Sequence, residues 1–479
     1  MMLKRFLPAL LLLLASCVAP PNGPDRRARS EPANIVIIIA DDLGTGDLSV
    51  YGSSFRTPHM DALAAAGVRT TAAYATAAVC APSRAAIMTG RYQQRTGFEY
   101  QLEGETQRAH GLATEETTLA EALKPYGYAT GLIGKWHLGL SPDRHPIRQG
   151  FDTYYGFRGG QALYGSLSDP EMLSHPAPAR DPDYWLTFRP TEATAFQDQD
   201  RTVPAPQYAT DAFTERATAF IRQNSHKPFL LVVAYSAPHT PLQALRSHEA
   251  KVSDIREAEQ RTYRALVNEL DEGVGAIRRT LEEEGLTGST LIMLTSDNGC
   301  PDYINGACSN RPLNGFKRHL LEGGVRVPFI AAWPGSLPAG GVFDGLASNL
   351  DILPTALAAA GVRPAGPLDG VDLLPFFSGR RSGDAHPALY WKSYPSYAIR
   401  QGRWKLMANA GAEGGMVRML FDLETDPSET TNVIERNAGL AARLEADWER
   451  WSASLPPARW PSSKVFDAVF NGIAVKAVN

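Results

Sequence analysis

The stretch VCAPSRAAIMTGR, residues 79–91, places one of the four cysteines of a 479-residue chain beside a proline, a serine and an arginine. Cys80 has three ordinary readings: half of a disulfide, a small buried hydrophobe, or a thiol nucleophile. Four other short stretches also carry chemistry-bearing groups: Asp41-Asp42-Leu43-Gly44, Lys135-Trp136-His137, Ser236-Ala237-Pro238-His239 and Asp297-Asn298-Gly299. Asp41, Asp42, Asp297 and Asn298 together would give an all-oxygen site. That donor set suits a hard divalent cation such as Ca2+ or Mg2+, whereas zinc prefers His and Cys. Without a cation, three crowded carboxylates would repel one another strongly. Arg84, Lys135, His137, His239 and Lys317 add cationic or donor groups. A substrate with several negative oxygens needs such groups, and needs them more as charge grows in the transition state. The pocket therefore selects a tetrahedral oxyanion ester, with phosphate and sulfate both open.

Each polar stretch directly follows a short apolar run bounded by turn residues. The runs are NIVIIIA (34–40), YATGLIG (128–134), FLLVVAY (229–235) and STLIMLTS (289–296), and they read as buried strands. Helical patterns lie between them, at 60–67, 117–127, 213–224 and about 261–284. Strands alternating with helices indicate a parallel sheet covered on both faces. In such a sheet the carboxyl ends share one edge, where ligands bind. Singly, Asp-Asp-x-Gly or Asp-Asn-Gly reads as a turn, His239 as a loop residue and Lys135 as a surface charge. Four such groups after four core strands converge on one place.

A content of 44% hydrophobic and 20% charged residues is that of a globular protein with a sizeable core. The net charge is −4 and the basic residues are scattered, which excludes a nucleic-acid footprint. The N-terminus has a basic start at Lys4 and Arg5, then an apolar run from Phe6 to Ala15 that is too short to span a bilayer. Its ending, Leu14-Ala15-Ser16-Cys17, resembles a bacterial lipobox, so residues 1–16 are expected to be a lipoprotein signal and Cys17 the lipidated residue. A plain secretory signal is the alternative. Residues 17–32 read as a tether. The expected location is the bacterial cell envelope, with membrane contact only through the lipid anchor. In an oxidising compartment Cys300 and Cys308, eight residues apart in one loop-like stretch, are expected to bridge, which leaves Cys80 without a partner.

At these residues the chain resembles the type I sulfatases of the alkaline phosphatase superfamily. Cys80-Ala81-Pro82-Ser83-Arg84 with Met88-Thr89-Gly90-Arg91 is similar to their first signature, and residues 127–139, through Gly134-Lys135-Trp136-His137-Leu138-Gly139, to the second. DDLGTGDLSVYG (41–52), TPHMDALAAAGV (57–68), PHTP (238–241), SDNG (296–299) and GFKRHLLEGGVRVPFI (315–330) also match, over roughly residues 33–455. The resemblance implies that a separate formylglycine-generating enzyme oxidises Cys80 to an aldehyde. Its hydrate would attack sulfur with one hydroxyl and expel sulfate by re-forming the aldehyde, an exit that serine lacks. It implies that Asp41, Asp42, Asp297 and Asn298, with the matured Cys80, surround one Ca2+ or Mg2+. Arg84 and Lys135 would position the hydrate, and His137 would take the proton when the hemiacetal collapses. His239 and Lys317 would contact the sulfate, with His239 as the general acid. The fold it implies is a large mixed, mostly parallel sheet sandwiched by helices at 33–384. A smaller C-terminal antiparallel sheet with a helix would follow at 385–479, the residues after Trp451 remaining unplaced.

The expected substrate is a sulfated poly- or oligosaccharide, with an aryl sulfate or a phospho- or phosphonate ester as alternatives. A non-catalytic glycan-binding surface lipoprotein is the alternative of another class, although binding alone would not require Cys80. Candidate substrate contacts are His145 and Arg148 in RHPIRQGFD, and Asn310 and Arg311 in the loop after the metal motif; each reads equally as an ordinary loop residue.

Overall fold

Ile35, Ile37 and Ile39 pack into one hydrophobic cluster, and Val36 and Ile38 into another on the opposite side. A strand apolar on both faces must lie inside a sheet covered twice, and this one does. The computed structural model describes residues 32–478 apart from 104–107, 177–184, 186, 187 and 463. The expected signal at 1–16, lipidation of Cys17 and nearly all of the tether lie outside the described residues.

Ten strands form the main sheet. They are β1 (Asn34–Ala40), β2 (Val68–Thr70), β3 (Ala129–Lys135), β4 (Thr153–Phe157), β5 (Gln197–Asp198), β6 (Arg201–Thr202), β7 (Phe229–Ala234), β8 (Thr290–Ser296), β9 (Phe329–Ala332) and β10 (Gly341–Phe343). Their order across the sheet is β10-β2-β9-β8-β1-β7-β3-β4-β5-β6. The central five, β8 to β4, are mutually parallel, whereas β9 runs antiparallel to both of its neighbours. The result is the large mixed, mostly parallel sheet that the sequence led us to expect.

The helices that bear on the site are α1 (Pro58–Ala65), α2 (Cys80–Thr89), α3 (Ala209–Asn224), α4 (Arg246–Ala250), α5 (Ala258–Glu283), α6 (Ile352–Ala360) and α7 (Ala438–Ala453). α2 and α6 pack on the face of Ile35 and Ile37, and α1, α3 and α5 on the face of Val36 and Ile38. The α5 sequence places Tyr263, Leu266, Val267, Leu270, Val274, Ile277 and Leu281 inward. This is the 3.6-residue repeat of a helix with one buried stripe.

A second sheet contains β11 (Leu389–Ser393), β12 (Ser396–Gln401), β13 (Trp404–Gly411), β14 (Met416–Asp422), β15 (Val465–Phe470) and β16 (Ile473–Val478). All of its pairings are antiparallel, in the order β11-β12-β13-β16-β15 with β14 also on β13. α7 covers one side, where Ala441 and Leu444 meet Ile399, Leu406 and Leu420. The residues after Trp451, unplaced from sequence, supply the β15–β16 hairpin.

Candidate active site

Strand register builds the site. β1 and β8 pair Ala40 with Ser296, so the next residues, Asp41 and Asp297, leave the sheet side by side, and Asp297 N–H donates to the Ala40 carbonyl at 3.2 Å. β3 ends on Lys135 two strands away, and the chain after β7 returns through His239. The four stretches that follow core strands do meet at one edge. Asp42 and His137 hold backbone φ values of 64° and 59°. Each such left-handed non-glycine residue costs on the order of 1–3 kcal/mol and is kept only where the surroundings enforce it. Asp42 N–H donates to Asp297 Oδ1 at 3.2 Å, and Leu43 N–H to Ser296 Oγ at 3.0 Å, which fixes the turn.

Cys80 opens α2, where Gln101 Oε1 accepts the next backbone N–H, from Ala81, at 2.9 Å. Its Sγ stands 3.5 Å from Asp41 Oδ1 and 3.8 Å from Asp42 Oδ1. Burial, with the nearby Asp297 carboxylate, pushes the thiol up to about 12. A thiol that resists ionisation is a poor nucleophile. The other described cysteines, Cys300 and Cys308, are bonded to each other. Cys80 therefore has no described cysteine to bridge to, which disfavours the disulfide reading.

Cations interleave the carboxylates. Arg84 Nε donates to Asp297 Oδ2 at 2.8 Å, Lys135 Nζ to Asp41 Oδ2 at 2.7 Å, and Lys317 Nζ to Asp42 Oδ2 at 2.8 Å. Burial would raise Asp41 and Asp42, but the cations around them, Lys135 for Asp41 and Lys317 for Asp42 foremost, hold both below the usual carboxylate range. Asp297 moves the other way, to about 6, because burial and the Asp41 charge outweigh Arg84. Three carboxylates against three basic side chains leave the pocket near charge balance. A bound dication would make it attractive to an anionic ester.

The two histidines leave opposite ring nitrogens as acceptors. His137 Nε2 donates to the Leu102 carbonyl at 3.1 Å, so Nδ1 is an acceptor, and it has no partner among the described residues. His239 Nδ1 donates to the Thr240 carbonyl at 2.6 Å, so its Nε2 is the acceptor, and Lys317 Nζ approaches it at 3.2 Å. Burial, reinforced by Lys135, lowers His137 well below its ordinary value; burial, only partly offset by Asp41, lowers His239 to about 4. Both are bases that stay neutral until chemistry supplies a proton. His239 and Lys317, 8% and 5% exposed, are less deeply buried than Asp41 and Asp297, at 0%, and mark the mouth of the site.

The residues present fit a hard cation. Asn298 Oδ1 is buried without a hydrogen-bond partner among the described residues, while its Nδ2 donates to Asp42 Oδ1 at 2.7 Å. Among the described residues, one ligand atom each from Asp41, Asp42, Cys80 and His239 lie within 4.8 Å of one another; Asp297, whose Oδ2 accepts from Arg84, lies outside that group.

The four candidate substrate contacts have other neighbours. Asn310 is buried and spends its amide on its own loop, donating to the Cys300 and Gly315 carbonyls and accepting from Cys300 N–H. Arg311 is exposed. His145 is buried against Gln197, 3.2 Å from its Oε1. With Arg148, Arg108 and Arg158, it lines a cavity of about 770 Å³ beside the β4–β5 edge of the sheet. Sequence reasoning passed over a buried charge cluster below the Lys317 segment. Glu322 and Glu429 both lie 2.9 Å from Lys405 Nζ, and Glu429 Oε2 accepts the Glu322 N–H at 2.5 Å. This cluster locks β13 of the second sheet to the loop that carries Lys317. Its one sequence signal is a lysine at a fully buried position of the strand.

Comparison with known proteins covers nearly all of this framework. A family model described as Sulfatase matches residues 33–362, and one described as N-sulphoglucosamine sulphohydrolase, C-terminal, matches residues 315–450. The chain is 34% identical over 411 residues to N-acetylgalactosamine-6-sulfatase of Sus scrofa, covering 83% of this chain and 74% of the relative. It is 34% identical over 461 residues to arylsulfatase A of Bos taurus, covering 85% and 84%. Among solved structures it is similar to Ps i-CgsB in complex with k-i-k-neocarrahexaose, with a TM-score of 0.79 and 32% identity, over 90% of this chain and 95% of that one.

Proposed function

We propose, from the premise that this chain belongs to the type I sulfatase family and is a sulfuric ester hydrolase, that it releases sulfate from a sulfated poly- or oligosaccharide at the edge where Cys80 meets Asp41. The observation that carries this is the position of Cys80 Sγ, 3.5 Å from Asp41 Oδ1 and among the interleaved carboxylates and cations, with no described cysteine left to bridge it. The sugar preference is supported by relatives: one is named for a 6-sulfated N-acetylgalactosamine and another was solved with a neocarrahexaose.

A Ca2+ or Mg2+ held by Asp41, Asp42, Asp297, Asn298 and the matured Cys80 would neutralise charge on the sulfate oxygens and favour an ionised hydroxyl beside them. Maturation of Cys80 by a formylglycine-generating enzyme that reads Cys80-Ala81-Pro82-Ser83-Arg84 would supply that hydroxyl as an aldehyde hydrate. Arg84 and Lys135 orient Asp297 and Asp41 beside Cys80 and would position its hydrate. Lys317 and His239 face the entering ester. His239 Nε2 would take up a proton as the anionic ester enters beside it and pass that proton to the departing sugar oxygen. His137, with Nδ1 bare, takes the proton that frees sulfate from Cys80. The N-terminal pattern supports export to a bacterial cell envelope and anchoring through lipid on Cys17.

The test is to present matured enzyme with a panel of sulfated mono- and oligosaccharides, an aryl sulfate and a phosphate monoester, and to measure released inorganic anion. Sulfate from a defined sugar position is the expected product. Turnover of the aryl sulfate or phosphate ester alone would replace the carbohydrate reading, and no turnover of any ester would leave the binding reading.

A further inference from the structure

Away from the sheet edge, three helices bring a second set of metal-binding side chains together. Asp211 lies in the first turn of α3, His248 in α4 and Glu269 near the middle of α5. His248 Nε2 is 3.6 Å from Asp211 Oδ2 and 3.7 Å from Glu269 Oε2, and the three ligand atoms lie within 4.8 Å of one another. These separations exceed hydrogen-bonding length. They are close to the roughly 3.4 Å that separates neighbouring ligands in a tetrahedron with metal bonds of about 2.0–2.2 Å.

The nitrogen that faces the two carboxylates lacks a close partner. The His248 side chain is 8% exposed, and its Nε2 has only the two long approaches to Asp211 and Glu269 among the described residues, too long for hydrogen bonds. A buried ring nitrogen left without a hydrogen bond is costly and calls for an explanation. The surroundings are arranged as around a ligand. The Tyr208 ring meets the imidazole edge-on, centroids 4.7 Å apart, and fixes its plane. Lys251 Nζ takes the remaining oxygen of Glu269, Oε1, at 2.7 Å, an outer contact of the kind that orients a ligating carboxylate. Asp211, with its side chain 44% exposed, leaves an entry from solvent.

We propose that Asp211, His248 and Glu269 bind a first-row divalent transition ion, zinc fitting best, through one imidazole nitrogen and two carboxylate oxygens, with water in the open position. The imidazole separates this site chemically from the all-oxygen set at Asp41, Asp42, Asp297 and Asn298. It clamps α3, α4 and α5 to one another.

Stripped full-length protein is equilibrated with Zn2+ alone, freed of loose ion by gel filtration, and its bound zinc counted by elemental mass spectrometry. His248→Gln is expected to hold one zinc fewer than the wild type at unchanged circular dichroism, and Asp297→Asn to keep that zinc. Equal zinc in the wild type and His248→Gln overturns the proposal. Should His248→Gln not fold, Glu269→Gln and a Co2+ titration of the wild type decide. Visible bands of a four-coordinate nitrogen–oxygen site that persist in excess Ca2+ support the assignment. Their absence overturns it.

Discussion

Cys80 Sγ stands 3.5 Å from Asp41 Oδ1, across 39 residues of sequence. The contact exists because α2 begins where β1 ends, and it places the residue that the family matures against the carboxylate that Lys135 already grips. Cys80→Ala is therefore expected to abolish sulfate release while costing about 1 kcal/mol of stability, as a small change in a packed region does. Sulfate assay with a parallel urea titration checks both; retained turnover would contradict the mechanism.

The Arg84–Asp297 pair is buried on both sides. Removing one partner of such a pair leaves an uncompensated charge and costs about 3–5 kcal/mol. Arg84→Met should lose that much unfolding free energy and nearly all turnover. A loss within the range of a surface substitution would show that Arg84 is not the counter-charge.

Chelation should stop sulfate release, and Ca2+ or Mg2+ should restore it, if the carboxylates that draw Lys135, Lys317 and Arg84 inward hold the proposed cation. Asp42→Asn should bind the cation more weakly and show a melting temperature that no longer rises with added ion. Calorimetric melting with and without ion gives the answer, and an ion response identical to wild type would exclude Asp42 as a ligand.

His239 is expected to matter in proportion to how poor the leaving group is. His239→Asn should reduce kcat on a sugar sulfate by about 10²–10⁴-fold, the range for a lost proton donor, and far less on an activated aryl sulfate that leaves without protonation. Equal losses on both substrates would make His239 a sulfate contact and not the acid.

Stability should carry a pH signature from the buried His386–Asp351 hydrogen bond of 2.7 Å. Burial alone would lower His386, but the Asp351 charge and hydrogen bond prevail and raise it above 6.5. The folded value lies above the unfolded one, so the pair's contribution is complete below 6.5 and is lost as pH rises through the folded value. The unfolding free energy of wild type relative to His386→Gln, measured by urea titration across that window, should fall with rising pH. A flat difference would show that the pair does not titrate as described.

Sequence carried the central strands far because they are buried on both faces: NIVIIIA is β1 residue for residue, and the run at 229–235 overshoots β7 by one. The polar stretches were legible for the same reason, each beginning where an apolar run stops. β9 was not, since four residues after Pro328 become a strand only by pairing with β8 and β2. Nor was the β15–β16 hairpin, although Asn471-Gly472 between two alternating runs is a strong hairpin signal. The surroundings of Asn310 and His145 depend on partners that spacing does not reveal, Cys300 and Gly315 for one and Gln197 for the other.

The most direct measurement is the intact mass of the proteolytic peptide spanning Cys80, from protein co-produced with a competent formylglycine-generating enzyme. The account predicts a peptide that has lost its sulfur and gained an aldehyde, in protein that releases sulfate. An unmodified thiol in protein that still turns over sulfate ester would contradict it.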